Sequence, residues 1–129
     1  DRFMFSENTD AKFSSVLDGT SNTVAMAETL RTVADGHCPA WAYRGWVMTG
    51  IDLGYGINVT DIPATWTWVS DMASYKFRLR TWGTGGSLHP GGLNACLADG
   101  SVRFISDTTP VPILQAISTM AGGETIALP

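Results

Sequence analysis

The chain lacks any apolar run approaching the ~18 residues that a membrane-spanning helix needs, so no such helix lies within these 129 residues. It has no basic cluster either. Its eight Lys and Arg are scattered, apart from Arg78 and Arg80, and are outnumbered by twelve Asp and Glu. The resulting net charge of −4 argues against a nucleic-acid partner. Charged residues make up only 16%, below the ordinary ~25% of globular chains, and 44% are hydrophobic, which argues for one folded domain over residues 1–129 and against disorder.

Chemistry-bearing residues are equally sparse. Histidine and cysteine occur twice each. His37, Cys38, His89 and Cys96 are zinc-type ligands, but they form no Cys-x-x-Cys or His-x-x-x-His pairing. Only three glutamates are present, Glu7, Glu28 and Glu124, and they define no glycosidase pair. Gly85-Gly86-Ser87-Leu88-His89 is not a Gly-x-Ser-x-Gly elbow, and Ser87 with His89 has no identifiable orienting acid. No phosphate-cradling glycine loop with its lysine occurs. The expectation is a protein that is not an enzyme and needs no cofactor.

Glycine, by contrast, is abundant. Fourteen glycines and six prolines imply many tight turns and an irregular β-rich fold. The most informative stretch runs from His89 to Ile105. Leu93–Ala98 and Ser101–Ile105 are apolar-rich runs separated by Asp99-Gly100, a pair suited to a two-residue type I′ hairpin turn. Val102 and Phe104 share one face of the second strand, which predicts that they are buried together. If His89 and Asp99 stand at opposite ends of the first strand, roughly 20 Å separates them. The His89 ring is then expected to close its Gly-rich loop on backbone or on a different acidic group.

Elsewhere Phe13–Leu17 predicts a helical turn, and Thr23–Glu28 reads as a strand or short helix by propensity. Strand pieces are expected near Trp41–Met48, over Trp66–Val69 and over Tyr75–Trp82, with a loop over 50–65. Pro110 and Pro112 suit the first turn of a helix, with Thr108 or Thr109 as its N-cap. Ile113, Leu114, Ile117 and Met120 supply the core stripe, and Gly122-Gly123 the C-cap. Thr125–Leu128 reads as a short final strand.

Three blocks carry a resemblance to a known family. They are His89 with Asp99-Gly100-Ser101-Val102-Arg103-Phe104, the Asp18-Gly19-Thr20-Ser21-Asn22-Thr23 segment with its apolar run to Glu28, and Ala121-Gly122-Gly123-Glu124 with the residues after it. Together they resemble a prepilin-like planctomycete family of unknown function, similar to type IV pilins and type II secretion pseudopilins. The resemblance implies an α+β domain, with an antiparallel sheet, a C-terminal hairpin and a short helix. In that family the sheet packs on a long N-terminal helix that this chain lacks. The chain is therefore expected to be the soluble C-terminal portion of a longer, membrane-anchored protein. It also implies an exported structural or secretion-associated subunit of the cell envelope, with other pilin-like subunits or envelope proteins as partners and self-association of the isolated domain.

Further expectations follow from this setting. The pseudopilins often hold calcium near their C-terminal end, which makes Asp18, Asn22, Asp99 and Asp107 candidate oxygen ligands, although Asp-Gly pairs equally serve as plain turns. In an exported protein Cys38 and Cys96 either form one disulfide or stay as two buried thiols. Five tryptophans offer an alternative function: Trp66 and Trp68, on one strand face, would stack on a glycan or another envelope component in an extracellular recognition module, whereas core packing is the ordinary role of such side chains.

Overall fold

The hairpin that turns at Asp99-Gly100 organises the molecule. The computed structural model describes residues 4–5, 10–30, 32–34, 36–37, 52–66, 78–81 and 83–123. The strands expected near 41–48, over 66–69 and at 125–128 fall wholly or largely outside them, as do Cys38, Trp41, Trp46, Trp68 and Trp82. Of the strand expected over 75–82, residues 78–81 are described, and there Leu79 makes an isolated bridge to Val33.

Five strands and one α-helix are present among the described residues: β1 (Val24–Ala27), β2 (Thr32–Val33), β3 (Gly36–His37), β4 (Gly92–Leu97), β5 (Val102–Ser106) and α1 (Val111–Ile117). β1, β4 and β5 form an antiparallel sheet in the order β1-β4-β5, and β2 pairs antiparallel with β3. The arrangement is α+β. Ala25, Met26 and Ala27 favour helix intrinsically, but pairing with β4 overrides that preference. No helix among the described residues is long and apolar enough to cross a membrane.

The hairpin turn differs from the two-residue expectation. Gly100 N–H donates to the Leu97 carbonyl at 2.9 Å, and Leu97 N–H donates to the Ser101 carbonyl at 2.8 Å. Gly100 has φ 84°, whereas Asp99 is not in the positive-φ region. Ala98, Asp99 and Gly100 thus make a three-residue loop, a type I turn closed by a glycine bulge. The extra loop residue moves the register by one. Val102 lies opposite Cys96 and Phe104 opposite Asn94, where a two-residue loop would have set them against Leu97 and Ala95. A one-residue slip turns every side chain to the other face. Val102 is accordingly 67% exposed and Phe104 54% exposed, which corrects the expectation that they pack together in the core.

Ile105 takes the buried position instead. It packs with Leu53, Ile57, Leu93, Ala95, Leu114 and Ile117, with Val24 and Ala27 at the margin. One face of the sheet is therefore covered by α1 and by the segment around a 3-10 turn, Leu53–Tyr55. That turn lies within the stretch expected to be plain loop. Asp52 caps it by accepting the Gly54 N–H at 2.8 Å. The opposite, outer face of the sheet presents Met26, Cys96, Val102 and Phe104. A second small cluster, Val16, Ala98 and Met120 with Met4, lies beside the hairpin turn.

Of the expected stripe, Leu114 and Ile117 pack in the main core, Ile113 is half-buried, and Met120 lies beyond the helix in the second cluster; the expected caps are not used. Pro110 is the N-cap residue, and its carbonyl receives Ile113 and Leu114 N–H. Pro112 in the first turn removes a donor that would otherwise need a cap. Thr108 and Thr109 instead close a turn on Ser106. The helix stops at Ile117, before the glycine pair, because the Ser118 hydroxyl donates to the Leu114 carbonyl (2.7 Å) and the Thr119 hydroxyl to that of Ala116 (3.0 Å).

Candidate functional site

The motif residues gather at the two ends of β4 and fasten it to the chain between Asp18 and Glu28. At the first end the Glu28 backbone continues the pairing of β1 with β4, its N–H donating to the Asn94 carbonyl at 3.2 Å. Side chains alternate along a strand, so Glu28 stands on the outer face beside Asn94. Its Oε2 accepts the Asn94 backbone N–H at 2.7 Å, and both of its oxygens lie 3.3 Å from Asn94 Nδ2. The His89 ring reaches the same carboxylate, with Nε2 3.3 Å from Oε1. The acidic partner of the signature histidine is thus Glu28, while Asp99 sits at the far turn.

The loop bearing His89 is tied down from below. Ser87 Oγ donates to the Gly92 carbonyl at 2.6 Å and accepts the His89 backbone N–H at 2.9 Å. Asn58 Oδ1 accepts the Ser87 N–H at 2.9 Å. Asn58 has φ 56°, a left-handed conformation that asparagine tolerates better than most residues. The Ser87 hydroxyl is spent on backbone and the imidazole on a carboxylate, so the two do not form a nucleophile–base pair.

At the second end, Asp18 holds the chain beyond α1. Its Oδ2 accepts the Gly122 N–H at 2.8 Å and its Oδ1 the Gly123 N–H at 2.9 Å. The Met120 carbonyl receives Leu17 N–H (2.7 Å) and Asp18 N–H (3.3 Å), and the Thr23 hydroxyl donates to the Thr119 carbonyl at 3.4 Å. The hairpin turn is bound to the same segment: Ala98 N–H donates to Thr23 O at 2.8 Å and Asp99 N–H to Thr20 O at 3.0 Å. Asp99 Oδ1 accepts both the Ser101 N–H (2.9 Å) and its hydroxyl (2.6 Å). All three sequence blocks therefore meet, directly or through β4, as clasps between backbone segments.

Hydrogen bonding sets the charge states of this network. The Asn94 backbone N–H, then the Asn94 side-chain amide and more weakly His89, hold the Glu28 carboxyl below its usual 4.5. The Ser101 hydroxyl, then its N–H, likewise lower Asp99. A lowered folded-state value stabilises the fold above the unfolded value, and that contribution is lost as pH falls through the folded one. We expect stability to decline on acidification below about pH 4.5. Glu28→Gln should be less stable at neutral pH and show a shallower acid decline. Denaturant titrations at a series of pH values check this, and superimposable pH profiles would refute it.

The calcium candidates are not assembled. Asp18 and Asn22 share one loop, where Asn22 Nδ2 donates to the Asp18 carbonyl at 3.4 Å, but both Asp18 carboxylate oxygens face backbone N–H groups. Asp107 lies at the opposite end of the hairpin, its N–H donating to the Gly91 carbonyl at 2.9 Å. No group of three or more His, Cys, Asp or Glu able to hold a metal ion occurs among the described residues. Cys96 carries a free thiol on the outer face, and Cys38 lies outside the described residues. Trp66 is half-buried, with its backbone N–H donating to the Pro63 carbonyl at 2.9 Å, and Trp68 lies outside the described residues.

Nothing in the sequence singles out Asn94 or Asn58, and Glu28 stands in it as the end of an apolar run and as one of three glutamates that define no catalytic pair. The usable signal was the acid placed two residues beyond Met26, on the same face of the β1 extension, which lies beside Asn94 of β4. No curated protein and no solved structure matches the chain. One family model spans residues 1–111, so the chain belongs to that family, described as protein of unknown function (DUF1559).

Proposed function

We propose that this domain is a non-enzymatic, exported pilin- or pseudopilin-like subunit of the cell envelope, structural or secretion-associated, and that its sheet seats an N-terminal apolar helix. The observation that carries the reading is the outer face of β1, β4 and β5. Met26 is 63% exposed there, beside the exposed Val102 and Phe104, a concentration of apolar surface on one sheet face that suits a packing partner. The Asp18, Glu28 and Asp99 carboxylates support the same reading, because they are engaged with backbone N–H groups and neighbouring side chains. A glycan-binding alternative rests on Trp66 and Trp68, and the half-buried Trp66 offers it little.

The test is the product of the complete reading frame. It should carry an apolar N-terminal helix, partition with membranes and assemble with envelope or pilin-like partners. Val102→Asp should impair that assembly while leaving the domain folded. A soluble monomer without such a helix would defeat the proposal.

A further inference from the structure

The segment after α1 and the Leu17–Thr23 segment are fastened to each other, while Ser118 and Thr119 are also bonded back to α1. Leu17 and Asp18 N–H reach Met120 O, Thr23 Oγ1 reaches Thr119 O, and Gly122 and Gly123 N–H reach the Asp18 carboxylate. Their apolar support is the small cluster of Val16, Ala98 and Met120, separate from the larger cluster that binds α1 to the sheet. Gly122 and Gly123 are exposed, so two of these bonds lie at the surface. Units with few buried apolar contacts and solvent-facing backbone bonds open well below the free energy of global unfolding.

We infer that residues 17–23 and 120–123 form a latch that opens as one unit, keyed by Asp18, while the sheet and α1, with Ser118 and Thr119 bonded to it, remain folded. Opening would uncover Val16, Ala98 and Met120 and release the hairpin turn, whose Ala98 and Asp99 N–H are held by the Thr23 and Thr20 carbonyls. It would leave the Glu28 end of β4 in place, since Asn94 N–H and Gly86 N–H are held there by Glu28. The latch makes this end of the domain detachable, a conformational device distinct from the helix-seating face.

Residue-resolved hydrogen exchange on the folded domain tests this. In Asp18→Ala, the amides of Leu17, residue 18, Ala98, Asp99, Gly122 and Gly123 should all exchange faster, on the order of tenfold or more. Those of Gly86 and Asn94 should not change. Acceleration confined to Gly122 and Gly123 would overturn the single unit, and equal acceleration everywhere would overturn its independence. If the variant does not fold, denaturant-dependent exchange of the unsubstituted protein decides. The latch amides should then share one opening free energy, below that of Gly86 and Asn94, and scattered or global values would refute the latch.

Discussion

Replacing Gly92 with alanine should destabilise the domain by about 3 kcal/mol, near the upper end of what overpacking costs. Gly92 opens β4 opposite Ser106. A Cβ on its backbone would lie 2.1 Å from the Ile105 carbonyl oxygen and 2.8 Å from the Phe104 ring. The ring could swing outward, since Phe104 is half exposed, but the carbonyl cannot retreat. It belongs to Ile105, whose side chain is buried in the main core, and the next turn is tied back by Asp107 N–H on Gly91 O. Relief therefore requires the β4–β5 ladder to separate at the end that carries His89. Denaturant midpoints of the two proteins check the expectation, and equal midpoints would show that the strands do not approach so closely.

The second large effect sets one face of the hairpin against the other. Leu93 is fully buried among Leu53, Ile57, Ile105, Leu114 and Ile117, so Leu93→Ala should cost about 3 kcal/mol through lost burial and a residual cavity. Val102 is as apolar and sits in the same hairpin, yet Val102→Thr should stay within about 0.5 kcal/mol. Threonine keeps the β-branched shape, and its hydroxyl would meet water on the outer face. Under a two-residue turn Val102 would be buried, and the same substitution would sequester a hydroxyl at a cost of roughly 1–3 kcal/mol. Paired thermal melts of the two variants discriminate, and a large loss from Val102→Thr would contradict the observed register.

These contrasts show what could be read ahead of the structure. The alternation of Leu93–Leu97 and Val102–Phe104 marks two strands, and Asp99-Gly100 marks where they reverse. Ala98, with no turn preference of its own, gives no sign that it joins the loop, and that residue decides which face is wet. The stripe of α1 is visible because Leu114 and Ile117 recur at helical spacing. Its ends are not, because they depend on hydroxyls after the helix and on a proline carbonyl before it. β2 and β3 have two residues each, too few for any period to register. In the candidate site, His89 and Asp18 stand out as motif members. Their partners Glu28, Gly122 and Gly123 are recognisable as such only once distant strands are paired.

The separation of His89 from Asp99 acquires a mechanical meaning from the two clasps. β4 is a ruler graduated in steps of about 3.3 Å, with the inward and outward sense alternating at each mark. One residue added within it would reverse the facing of the residues on one side of the insertion, turning core side chains outward there and drawing outer ones beneath α1. Two residues would restore the faces but carry one clasp about 7 Å past its mate, out of hydrogen-bonding reach. Neither change preserves both the core and the fastenings. The nine residues between histidine and aspartate are therefore a tolerance in length, set by the distance between two fixed anchor points.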